Sequence, residues 1–134
     1  MADRAALIRR LEEATGSSRE LDAEIAVAMK ISRSGAADWE RKWSGRWAPH
    51  PYAIGLVALL NDRNEVTCHW QAPFYTKSLD AAMTLAGENA VAVLLDALAM
   101  AARYFVAFHD KNGHILRALP RFVCIASLRA REEA

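Results

Sequence analysis

Three features of the sequence predict a single small domain of mixed α and β structure (α/β, α+β). Tyr75–Leu85 is punctuated as a short helix, and Tyr104–His109 and His114–Ala118 flank an Asn-Gly turn. In addition, 134 residues that are 53% hydrophobic suffice to bury a core without disulfide or metal staples. A charged fraction of 25% is ordinary for a globular chain. The formal charge of +1 supplies no global field to draw in nucleic acid or an acidic membrane, so such binding would need a local patch.

The helical signals come in order along the chain. From about Arg4 to Ala14, Leu7, Ile8 and Leu11 form one apolar face while Arg9, Arg10, Glu12 and Glu13 stay in water. Thr15-Gly16 ends that helix, and Ser17-Ser18-Arg19-Glu20 spells a capping box for a second one reaching Met29. Leu21, Ile25, Ala28 and Met29 are its inner positions. In the third segment Ser78 is placed as N-cap and Asp80 meets the positive helix end. Leu79, Ala82, Met83 and Ala86 recur at helical spacing, and Gly87 suits the left-handed position that stops the helix. Asn89–Ala102 reads as a largely buried helix whose one internal charge is Asp96, although Val91–Leu95 also suits a core strand. Pro120 suits the first turn of a last helix near 120–131, with Val123, Cys124, Ser127 and Leu128 inward and Arg121, Arg129, Arg131, Glu132 and Glu133 solvated.

The strand signals lie between. Asn61-Asp62-Arg63-Asn64 is a turn, after which Val66, Cys68 and Trp70 alternate with Thr67 and His69 as a half-buried strand. Ala53–Leu60 is apolar but too short to type by periodicity. The Asn112-Gly113 pair predicts a tight hairpin across 104–118.

Lys30–Tyr52 is different in kind, with five bases against two acids and Trp39, Trp43 and Trp47 at four-residue spacing. That spacing makes a stripe on a helix, whereas Ser44-Gly45 suits a turn between two short aromatic strands. The turn is preferred. Trp39, Arg41, Lys42, Trp43, Arg46 and Trp47 form the candidate interaction surface. Indoles that stack unpaired bases beside cations that neutralise phosphate are what a single-stranded nucleic-acid platform needs. The same tryptophans also suit a core or a covered sheet edge.

No catalytic, cofactor or metal site is expected. His109 and His114 straddle a tight turn with no further ligand at matching spacing. Cys68 beside His69 resembles a nucleophile and its base, but strand neighbours point to opposite faces. Cys68 and Cys124 sit among apolar residues and read as reduced core thiols. The start of the chain carries acids and lacks the apolar stretch of a targeting peptide. The longest apolar run, Ala90–Phe108, is broken by Asp96 and Arg103, so no membrane span is expected and a cytoplasmic location is. Leu-Asp-Ala occurs at 21–23, 79–81 and 95–97, at unequal spacing, which is helix chemistry rather than an internal repeat.

Three blocks together carry a family resemblance: Arg19–Ala26 after the Thr-Gly break, Tyr75–Leu85, and Leu119–Arg131. The chain resembles the small phage and prophage proteins grouped as the phage ABA sandwich (α/β/α) domain family. The resemblance implies one domain over residues 1–134, with a short sheet and hairpin covered by helices on both faces. It also implies a phage or prophage origin, in the bacterial host cytoplasm or phage-associated. It implies no activity, since that family has no settled one, so no functional residue carries over. The chain departs from the pattern around Ala53–Trp70 and Asn89–Ala102, where it is longer and more apolar. The expected function is therefore a non-catalytic protein-interaction module whose partner is a phage or host protein. The alternative is single-stranded nucleic-acid binding through 39–47.

Overall fold

The computed structural model describes residues 4–14, 16–29, 46–108 and 114–132, with their side chains except at 104–108, 114–116 and 131–132. Helices α1 (Arg4–Glu13) and α2 (Arg19–Ala28) precede strands β1 (Arg46–Pro49), β2 (Leu56–Leu60) and β3 (Val66–Gln71). Helix α3 (Leu79–Met83), a 3₁₀ turn at Gly87–Asn89, α4 (Ala90–Phe108) and α5 (His114–Glu132) follow. The mixed α+β class is thus present. Internal contacts gather the described residues into two compact units, one of 4–7, 19–29 and 46–73, the other of 8–14, 16–18, 74–108 and 114–132.

The first unit is an antiparallel sheet in the order β1-β2-β3, with α2 packed against β1 and β2. Val57, Ala58, Leu59 and Leu60 are all buried, which is why the central strand is a continuous apolar run without alternation. β3 alternates half-buried and exposed residues, as its sequence predicts. Asn61 builds the turn between β2 and β3. Its side-chain oxygen accepts from the N–H groups of Arg63 and Glu65, both at 2.9 Å, and Asn64 takes the left-handed conformation at φ 61°. A register shift at Leu59/Leu60 leaves Thr67 as an extra residue, and its hydroxyl donates to the Leu59 carbonyl at 3.0 Å.

Arg19 fastens this unit from the first turn of α2. Its guanidinium pairs with Asp22 at 2.7 Å and donates to the carbonyls of Ala72 (2.6 Å), Gly55 (3.2 Å) and Pro73 (3.2 Å). Asp22 is 1% exposed, a buried carboxylate whose charge needs that partner. Gly55 has φ +87°, and a Cβ there would lie 2.8 Å from Arg19 Nε. Only glycine fits both conditions. Leu21, Ile25 and Met29 are buried as predicted, whereas Ala28 is half-buried and Ala26 fully so. The helix begins at Arg19, one residue later than a cap at Ser17 requires.

In the second unit α5 packs against both α3 and α4. Ser78 caps α3 as expected, its Oγ accepting from Ala81 N at 3.2 Å. After Met83 the chain tightens into i→i−3 bonds, and Gly87 takes the left-handed conformation at φ 55°. Leu79, an expected inner position, is exposed. Val123, Cys124, Ser127 and Leu128 are buried, as are Ile125 and Ala126, so the inner face of α5 is wider than predicted. Arg121, expected to be solvated, is half-buried, and its guanidinium donates to the Ala14 carbonyl. Both cysteines are free thiols, and Cys124 Sγ donates to the Tyr75 carbonyl at 3.4 Å.

The predicted hairpin at 104–118 is corrected. Tyr104–Phe108 is the last part of α4, and His114–Ala118 opens α5, while 109–113 lies outside the described residues. The β preference of Tyr, Phe and Val spans only about 1 kcal/mol, and extending a formed helix adds one hydrogen bond per residue fixed. Pro120 consequently lies inside α5 rather than at its start. It forgoes one backbone bond there and is buried. The hairpins of the described chain are instead β1-β2 and β2-β3.

Arg19→Ala and Asp22→Ala should each lower stability by about 3–5 kcal/mol, because either change strands a buried charge or carbonyls. Gly55→Ala should cost about 1–3 kcal/mol through backbone strain alone. Urea denaturation measures both, and losses under about 1 kcal/mol for Arg19 and Asp22 would show that the carbonyls find other donors.

Candidate interaction surface

Of the residues singled out in the sequence, Trp39, Arg41, Lys42 and Trp43 lie outside the described residues. Arg46 and Trp47 are both in β1, so the helical stripe does not extend to Trp47. Strand alternation sends neighbouring side chains to opposite faces. Arg46 is exposed and donates to Asn64 Oδ1 at 2.7 Å, whereas Trp47 is half-buried and stands opposite Leu59 of β2. A platform joining these two side chains would need both on one face.

The loop after β1 gathers aromatic rings. His50 sits edge-on to His69, ring centroids 5.8 Å apart, and to Tyr52 at 6.1 Å. His50 Nδ1 accepts from the backbone N–H of Tyr52 (3.0 Å) and Ala53 (3.1 Å), which leaves Nε2 to carry the ring proton. The imidazole therefore shapes the turn that leads to Ile54 and Gly55. Among the described residues no three His, Cys, Asp or Glu side chains converge as metal ligands. Cys68 and His69 fall on opposite faces of β3, so thiol and imidazole do not form a pair.

The surface that the sequence did not disclose is on α4. Val93, Ala97 and Ala101 are its buried positions among the described side chains, a stripe at four-residue spacing. On the other side Val91 is 75% exposed, Leu95 63% and Leu98 46%, with Ala92, Ala99 and Ala102 exposed around them. The expectation of a largely buried helix thus holds for one stripe only. Val91, Leu95, Leu98 and Ala102 recur at intervals of four, three and four, the repeat with which one helix meets another. That interval was readable in the sequence. Its exposure was not, because the segment is apolar at nearly every angle around the helix.

Charge borders this face. Asp96 and Arg103 are both exposed, seven residues apart, and neither has an ion-pair partner among the described residues. Beside them, an open pocket of about 240 Å³ is lined by Glu12, Met100, Arg103, Phe122, Ile125 and Arg129. Arg129 also lines a second pocket of about 380 Å³ that includes Asp96. Its guanidinium is held by Glu12 at 2.9 Å. Among the described residues no helix is long and apolar enough to cross a membrane, so the exposed aliphatics of α4 do not mark a span.

Compared with protein-family models, curated proteins and solved structures, the chain matches none.

Trp47→Ala should cost about 2 kcal/mol, less than a fully buried tryptophan because the indole is half-exposed. Arg46→Ala should stay within about 0.5 kcal/mol, as for an exposed polar contact. Thermal melts of the two variants measure the difference, and equal melts would show that the indole contributes no packing.

Proposed function

We propose that this chain is a non-catalytic protein-interaction module, acting on a phage or host protein, and that the outer face of α4 is its contact surface. The observation that carries the reading is the exposure of Val91, Leu95 and Leu98 along one side of a regular 19-residue helix. Burying a leucine side chain is worth about 1.5–3 kcal/mol, so a helix that leaves two of them in water forgoes a large stabilisation. Contiguous apolar area of this kind, rimmed by Asp96 and Arg103, is the form of a protein contact. Phage or prophage origin is part of the same proposal and is supported by the three sequence blocks at 19–26, 75–85 and 119–131.

Replacing Leu95 by a photoreactive amino acid tests it, with Asp62 in the exposed β2-β3 turn as control. Irradiation should join position 95 to a protein chain identified by mass spectrometry, and position 62 to none. Leu95→Glu should abolish that same contact while leaving stability within about 0.5 kcal/mol of the parent. Absence of any protein adduct at position 95 would overturn the reading.

A further inference from the structure

We infer that the occupant of the outer face of α4 is the same face of a second copy, packed antiparallel about a two-fold axis. This inference rests on the reading of that face as a protein contact.

An isologous contact must be self-complementary, and this face is. Asp96 and Arg103 are exposed and lie on one flank of the face, seven residues apart and opposite in sign. Positions seven apart come back to almost the same angle of the helix, displaced by two turns. In an antiparallel pair a given flank faces the same flank of its partner, running the other way. With the axis beside Ala99 and Met100, each Asp96 stands opposite Arg103 of the other copy, and two ion pairs form. A parallel pair would turn this flank towards the opposite flank of the partner helix, and Asp96 and Arg103 would not meet.

The apolar positions suit the same register. Leu98, Ala99 and Ala102 fall at the centre, where two small side chains out of three allow the close axial approach of about 8–10 Å that packed helices adopt. Leu95 of each copy packs one turn further out. The four-three-four interval from Val91 to Ala102 keeps these residues on a continuous seam. One helix face per copy sits near the lower bound of specific interfaces, about 1,000 Å² in total, so the dimer should depend on concentration.

Sedimentation equilibrium of the full chain across a wide concentration range tests the inference. The mass should rise from 14.8 kDa towards twice that value with concentration. Leu95→Glu should weaken association at least about a hundredfold, and a melt equal to the parent's at concentrations where both are monomeric excludes unfolding as the cause. Asp96→Arg and Arg103→Asp should each weaken it about tenfold, since each converts two attractions into repulsions. The double variant Asp96→Arg/Arg103→Asp should recover parental association, because the reversed charges pair again. A chain that stays monomeric throughout, or a dimer indifferent to Leu95→Glu, overturns the inference. So does a double variant no better than the single ones. If the chain stays monomeric while position 95 still crosslinks to a different protein, the contact-surface reading stands and the self-pairing falls.

Discussion

The guanidinium of Arg19 is the interaction on which the sheet-bearing unit depends. It lies at the start of α2 and reaches three carbonyls, those of Gly55, Ala72 and Pro73, while neutralising the buried Asp22. Gly55 precedes β2 and Ala72 follows β3, so one planar group joins the helix to both ends of the hairpin. The backbone between them is also bonded directly, Ala72 N to the Gly55 carbonyl at 3.0 Å. An ammonium in place of the guanidinium would lack the fork that lets one side chain serve four acceptors. The left-handed Gly55 follows from the same demand, since any side chain there would collide with the group being held.

Thr76 plays a comparable part in the helical unit. Its hydroxyl accepts from Ser18 N at 2.8 Å and donates to the Ser18 carbonyl at 3.2 Å, so one buried side chain satisfies both backbone groups of a residue 58 positions away. The neighbouring carbonyl of Tyr75 takes the Cys124 thiol, and three residues after Tyr75 Ser78 caps α3. This short stretch therefore carries long-range and local constraints together. Buried polar groups of this sort cost free energy unless paired, which makes them specific for one arrangement.

Helix α4 is organised by the opposite logic. Its buried residues among those described, Val93, Ala97 and Ala101, are small, and Val91, Leu95 and Leu98 are left on the outer side. Apolar surface is thereby left exposed on the side away from Val93, Ala97 and Ala101. Asp96 and Arg103 stand exposed at the border of this surface.

What the sequence determined by itself is what local chemistry specifies. The Ser78 cap, the left-handed Gly87, the Asn61 turn, the alternating β3 and four positions of the inner face of α5 depend on residues within a few positions of one another, and these were legible. Tertiary structure decided the rest. Of Ala53–Leu60, only Leu56–Leu60 became the central strand, because it has neighbours on both edges, which periodicity does not encode. Tyr104–Phe108 and His114–Ala118 followed the helices to which they are joined, against their strand preference. The partners of Arg19 lie up to 54 residues away, so a charged residue in a helix-start motif gave no sign of holding the sheet. The exposed side of α4 was hidden for a plainer reason. An apolar helix has no polar face to show which side meets water, and only the burial of Val93, Ala97 and Ala101 in the folded unit distinguishes inside from outside.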